Sequence, residues 1–389
     1  MNVSNTKTEP KIIVSFDARA HTSKISDGGV VSALGFTGIG QAKVTDTRSF
    51  QVSRMAVDGS TSSLYEMDAI KIDNREISCV LKKYNYRSVI FENESRIYKK
   101  ISQTRKIILA GGAPHYVKQM MEVLPTCYGV LEFSDETAGL LLKRANGPTL
   151  EKHNESCASS GTDMKSKQSR FLMLAQAALA GAAFHEIGIE HSDFHSGNLI
   201  LHSDNSHQSE VVVPVDVGEA HSFNSEDGVE KKCCDNGKLC DIHRFAITIF
   251  GPTLLPNIST FYREGNEVSE DLSSSAESDR KNATDGSTVA VNPVDDVESC
   301  IVNFCNTIEE KDENKNPIHM ANNALPEQSR FSADDLVFIK KVLLTLLKLD
   351  HKKLHKMLWA SKALELASTG MSVDDIFKIL GEEFPEISC

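Results

Sequence analysis

Long hydrophobic runs are missing from this sequence: no window approaches eighteen consecutive apolar residues, so no membrane-spanning helix is expected. An excess of positive charge is missing too. The formal net charge is −12, and without a basic footprint a nucleic-acid-binding role is not expected. The opening MNVSNTKTEPKII lacks the positive start and apolar stretch of a secretory signal. The nine cysteines, an odd number, have none of the spacing of a disulfide framework, which suits a reducing compartment. What is present is 40% apolar residues, enough to build a core. The expectation is a soluble, cytoplasmic chain of mixed helices and strands.

The pattern along the chain divides it into five stretches. Residues 1–50 are punctuated by Gly35, Gly38 and Gly40 and read as a turn-rich N-terminal extension. Residues 51–143 open with strand-like segments at 63–72 and 76–84, separated by the turn pair Asp73-Asn74. Helices are predicted at Val89 to about Ser102 and at 115–123, then a buried strand at Ala138–Leu142. Residues 144–263 carry a long Ala- and Leu-rich helix at about 167–187, two short apolar strands (199–202 and 211–215), and a helix from Asp241 to Phe250 that Gly251-Pro252 should stop. Residues 264–326 are dominated by Ser, Glu, Asp and Asn and have little to bury, so they read as a disordered acidic insertion. Residues 327–389 return to helix, with a capping-box pattern at Ser332 and Asp335 and a further start at Ser372 and Asp375.

Chemistry concentrates in His191-Ser-Asp193-Phe-His195-Ser-Gly-Asn198. A carboxylate in a tight loop can orient a hydroxyl and take its proton, and an amide five residues later can reach back to a magnesium ion. Asp216 ends an apolar strand and precedes Val217-Gly218. Lys82 ends the segment Val80-Leu81-Lys82. Its neighbour Lys83 falls on the opposite face of a strand. A polar loop whose Asp and Asn merely cap turns is the plainer account of 191–198, and solvated strand lysines the plainer account of Lys82.

Taken in order, these residues resemble the protein-kinase-like superfamily. The 191–198 segment is similar to the H-R-D-x-x-x-x-N catalytic loop. Its histidine after the aspartate looks more like aminoglycoside- and choline-kinase-type loops, a pattern that haspin-type kinases share. Asp216-Val-Gly218 resembles D-F-G, and Val80-Leu81-Lys82 resembles V-A-I-K. The resemblance implies an α+β, bilobal protein-kinase-like fold with a small β-rich N-lobe and a mainly helical C-lobe. It implies ATP and Mg2+ as cofactors, with Asp193 as catalytic base and Lys82 on the phosphates. Glu94 would be the helix partner of Lys82, with Glu92 as the alternative. Asn198 and Asp216 would be the metal ligands. Gly59, Ser60, Thr61, Ser62 and Ser63 stand where the phosphate cover should lie, with hydroxyl residues in place of most of its glycines. Lys143 and Ala145 would meet adenine through their backbone. Asp241 resembles the buried aspartate that ties the catalytic loop to a C-lobe helix.

Two departures bear on the substrate. No A-P-E-like segment follows Asp216, and the stretch to Asp241 is short, so control by activation-loop phosphorylation is not expected. The leaning is to an atypical protein serine/threonine kinase, since the acidic pocket helix usual in small-molecule relatives is not found here. A small-molecule (aminoglycoside/choline-type) kinase is the alternative. A pseudokinase, binding a protein partner through the acidic insertion, is the alternative of another class. Cys233, Cys234, Cys240 and His243 cluster in sequence, but paired C-x-x-C spacing is missing and loosely buried thiols explain them more simply than zinc.

Overall fold

In the computed structural model the chain is α+β, mainly strand in its N-terminal part and helical in its C-terminal part. The structure describes residues 11–15, 30–39, 44, 49–58, 61–86, 88–160, 165–203, 210–222, 240–255, 305–306, 308–309, 312, 316–348 and 353–387. It divides into two compact units: Met1–Asn146 with Val215–Ser222, and Gly147–Pro214 with Phe223–Cys389.

The first unit is built on one eight-stranded sheet. Its strands are β1 (Lys11–Ser15), β2 (Val30–Gly38), β3 (Ser49–Gln51), β4 (Ser53–Asp58), β5 (Ser62–Glu66), β8 (Cys79–Tyr84), β9 (Cys127–Phe133) and β10 (Ala138–Lys143), in the order β3-β1-β2-β9-β10-β8-β5-β4. Only the β1–β2 pair is parallel. A hairpin of β6 (Ile70–Ile72) and β7 (Arg75–Ile77) turns at Asp73 and Asn74, both with positive φ, which asparagine and aspartate tolerate better than most residues. Residues 1–50, read as an extension, therefore contribute three strands to the sheet. The predicted strands 63–72 and 76–84 each break in two.

Strand alternation gives the sheet two faces. Cys79 and Leu81 of β8 join Val14, Phe50, Leu131 and Leu141 in a buried cluster on one face. The other face of β8 carries Lys82 and Tyr84. Helix α1 (Val89–Ala110), capped by Ser88, buries Phe91, Glu94, Tyr98 and Ile101. It runs a further two turns beyond the predicted end at Ser102. Arg105 explains the extension: its guanidinium donates to the carbonyls of Met121, Leu124 and Pro125 and to Thr126 Oγ1, fastening α1 to the last turn of α2 (His115–Val123) and the stretch after it. A two-residue strand, His221–Ser222, closes this unit's second segment.

In the second unit, α3 (Leu150–Ser160) precedes the long α4 (Lys167–Glu186). Ala-rich α4 packs against α9 (Lys353–Ser368) at close range. A Cβ placed on Gly181 would come within 2.3 Å of the Met357 Cε. Strands β12 (Leu199–Ser203) and β13 (Glu210–Pro214) form a hairpin, preceded by the two-residue β11 (Ile189–Glu190). The helix from Asp241 is not stopped by Gly251-Pro252. It runs as α5 (Asp241–Arg244), a π-helical stretch Phe245–Phe250, and α6 (Gly251–Leu254). Proline has no N–H to give an i−4 carbonyl, and widening the helix ahead of it lets the chain continue. Helices α8 (Ala333–Leu347) and α10 (Val373–Glu383) follow the caps read at Ser332 and Ser372. The acidic insertion at 264–304 lies outside the described residues. Its last part departs from the reading: α7 (Pro317–Asn323) is a helix with Ile318 and Ala321 buried, capped by the buried Asn316. Those few apolar residues were diluted by the polar stretch around them.

Candidate functional site

The first unit gathers three of the predicted site residues around one ammonium group. Period-two alternation on β8 turns Lys82 toward α1 and Lys83 to the other face, where Lys83 Nζ meets Asp135 at 2.9 Å. Lys82 Nζ donates to Glu94 Oε1 at 3.1 Å, to Glu94 Oε2 at 2.9 Å and to Asp216 Oδ1 at 2.7 Å. Glu94 is fully buried, whereas Glu92 lies exposed on α1, so Glu94 is the residue that pairs with the lysine. Tyr84, two residues beyond Lys82 and on the same face, donates its hydroxyl to Glu94 Oε2. Sequence reasoning passed over Tyr84, though its spacing from Lys82 was the signal available. The Glu94 carboxylate thus accepts from both Lys82 and Tyr84, while burial, with the Asp216 charge nearby, raises it above the usual carboxylate range. Burial alone would lower the Lys82 ammonium, but Glu94 and Asp216 outweigh it and hold the group protonated above its ordinary range.

Asp216 sits in the left-handed region at φ 56, an uncommon conformation for a side-chain-bearing residue. Its carboxylate is half-exposed and accepts from Gly218 N at 3.3 Å. Asn93 of α1 pins the following turn by donating Nδ2 to the carbonyls of Gly218 (3.0 Å) and Ala220 (2.8 Å).

The supposed phosphate cover is shorter than read. Gly59 and Ser60 lie outside the described residues. Ser62 and Ser63 are buried in β5, paired with Tyr84 and Lys83 of β8, so they belong to the sheet rather than to a loop. Thr61 remains at the turn, its carbonyl accepting from Asn85 N at 3.2 Å. At the end of β10, Lys143 N–H is committed to Thr126 O at 2.9 Å. The Ala145 backbone makes no hydrogen bond among the described residues, which leaves Ala145 as the open edge of the two.

The second unit holds the 191–198 loop. Asp241, fully buried at the start of α5, accepts from His191 N at 2.7 Å and Ser192 N at 2.9 Å, and lies 3.2 Å from His185 Nε2. Ser192 adopts φ 63 at this tie. Burial alone would raise the Asp241 carboxyl, but His185, His191 and the backbone donors hold it below the usual carboxylate range. The buried His191 ring sits edge-on between Phe184 and Phe194.

Asp193 projects from the loop half-exposed and is held on both oxygens. Asn198 Nδ2 donates to its Oδ2 at 2.9 Å and to its backbone carbonyl at 3.0 Å. His195 Nε2 lies 3.4 Å from Oδ2, and Arg244 Nη1 lies 3.3 Å from Oδ1. His195 Nδ1 accepts from Gly197 N, which leaves the ring proton on the nitrogen facing Asp193. Burial raises the Asp193 carboxyl less than His195 and Arg244 lower it, so it stays ionised well into acid. Arg244 was not anticipated; its place one turn after Asp241 on the same helix was the available signal.

Of the cysteine–histidine cluster, Cys233 and Cys234 lie outside the described residues. Cys240 is buried with its Sγ 3.4 Å from His243 Nδ1. Among the described residues no group of three or more His, Cys, Asp or Glu is placed to hold a metal ion. Among them, too, no helix is long and apolar enough to cross a membrane. No protein-family model and no curated protein gave a match to this chain.

Proposed function

We propose that this chain is an ATP- and Mg2+-dependent phosphotransferase of kinase-like, bilobal design, moving the γ-phosphate to a hydroxyl, with a protein serine or threonine as the favoured acceptor. The observation that carries the reading is the Lys82 ammonium held between the buried Glu94 and the half-exposed Asp216. A structural ion pair needs one carboxylate. Here a second, strained and open to solvent, shares the same cation.

The residues suit the cofactors by chemistry. Lys82 offers a fixed positive charge for phosphate oxygens. Asp216 offers carboxylate oxygen, and Asn198, its Nδ2 committed to Asp193, keeps its Oδ1 without a hydrogen bond among the described residues. Hard oxygen donors of this kind are what magnesium takes. Bound magnesium would withdraw charge from the phosphate oxygens. Ala145, through its uncommitted backbone, would meet adenine.

Asp193 would accept the hydroxyl of the acceptor. Held ionised by His195 and Arg244, it is a weak base at neutral pH, so orienting the hydroxyl is its larger contribution and proton uptake comes late. Asp241 keeps the loop that carries it in place through two backbone amides.

The test is transfer of labelled γ-phosphate by the full chain with Mg2+, offered candidate proteins, an aminoglycoside and choline. Asp216→Ala is expected to abolish turnover, and full activity in that variant would sink the reading. Lys82→Arg is the better probe of the lysine than Lys82→Met, because it does not leave Glu94 buried without a cation. Nucleotide binding with no transfer to any acceptor would favour the pseudokinase.

A further inference from the structure

The outer face of α1 stands apart in this acidic chain. Between Ser95 and Met121 the sequence holds six lysines or arginines and no aspartate or glutamate, against a net charge of −12 overall. Arg105 is used internally. Arg96, Lys99 and Lys106 are exposed and Lys100 half-buried. At roughly 100° per residue these four share the face opposite Phe91, Glu94, Tyr98 and Ile101. Lys99 and Lys106 make no ion pair among the described residues. Lys100 is lowered by burial and by Arg96 beside it, so these cations crowd one another.

The row has apolar ends, and the exposed Glu92 stands between Val89 and Arg96 on the same side. Val89 is 86% exposed and Ile107 71% exposed, and both lie on the same side of the helix as Arg96 and Lys100. They stand about 27 Å apart along the axis. We propose that this face of α1 is a docking surface for an acidic peptide segment of a protein partner, with carboxylates on Arg96, Lys99 and Lys106 and an apolar residue at each end. An extended peptide of about eight residues spans that length.

The same features argue against other polyanions. A bilayer wants a continuous apolar face, and here two apolar side chains are separated by cations. A nucleic acid would meet only a few cations on a chain whose overall charge repels it. The surface stands independently of the phosphotransfer reading.

The test uses the full chain and a fluorescein-labelled peptide with a glutamate-rich middle and a leucine at each end, followed by anisotropy. Saturable binding is expected, weakening as salt rises. The double variant Lys99→Glu/Lys106→Glu should weaken it by at least about tenfold. These two residues are chosen because Arg96 also holds Asn93 Oδ1 at 2.7 Å. Thermal unfolding of the variant checks that it is folded, and Lys99→Gln/Lys106→Gln replaces it if it is not. The proposal is overturned if the wild-type chain ignores the peptide, if charge reversal leaves binding unchanged, or if only phosphatidylserine vesicles or duplex DNA are bound.

Discussion

Asp241 shows how much one carboxylate can carry. Its oxygens satisfy a buried backbone N–H at His191 and a part-buried one at Ser192, and Ser192 holds a left-handed conformation that the tie stabilises. Replacing it with alanine leaves both donors without a partner, each worth roughly 1–3 kcal/mol. Asp241→Ala is expected to cost about 3 kcal/mol in chemical denaturation. A loss below about 0.5 kcal/mol would mean that water takes over both bonds. That Asp241 opens a helix was legible from the pattern alone, whereas its tie to the 191–198 loop entered only through the resemblance, because its partners lie some fifty residues back. The lysine register was legible for the opposite reason: alternation along a strand is local, and it separates Lys82 from Lys83 without knowledge of the rest of the fold. Tyr84 and Arg244 act on Glu94 and Asp193 through contacts that exist only after folding.

Elements that carry their own start signals were readable. The capping box at Ser332 and Asp335 forms as its spacing implies, because each partner lies within one turn of the other. The strand β9, paired on one side with the distant β2, was not, although β8 and β10, which also pair at a distance, were. β9 lies between β2 and β10, and Gly129 within it approaches the Phe36 ring, a packing choice that β9 alone cannot announce. The junction Gly147–Thr149 belongs to the same class. Gly147 has φ 144, and a Cβ there would stand 1.9 Å from the Leu201 carbonyl oxygen of β12. The neighbouring residue extends the contact, since Leu201 N donates to Pro148 O at 3.0 Å. Neither the backbone angle nor the carbonyl can yield cheaply, so Gly147→Ala should lose about 3 kcal/mol. That corresponds to a melting-temperature drop of roughly 6–12 °C. Gly112→Ala, where a Cβ meets nothing within 4 Å, is the matched control and should leave the melting temperature unchanged.

At the scale of the whole molecule, the fully buried carboxylates of the two units, Glu94 and Asp241, differ in a way that acid should reveal. At the surface, by contrast, Asp135 of the first unit is lowered and Glu186 of the second is raised. Asp193, Asp241 and Asp335 of the second unit are all depressed, each by hydrogen bonds and neighbouring cations that outweigh burial. A group lowered in the folded state adds stability that is complete above its unfolded value near 3.9 and lost as pH falls through its folded value. In the first unit Glu94 is raised, chiefly by burial, with Lys82 opposing, and a raised acid gains relative stability as pH falls. The two units therefore respond to acid with opposite sign at their principal buried carboxylates. Below about pH 4 the second unit should open first. Its reporter is built in, since Trp359 is the sole tryptophan and is buried against Phe377. As pH is lowered, Trp359 emission should shift to the red, and peptides from α4 and α9 should exchange hydrogen, while those from β8 and β10 stay protected. Simultaneous loss of protection in both sets would show that the two units unfold as one and that these carboxylates do not set the order.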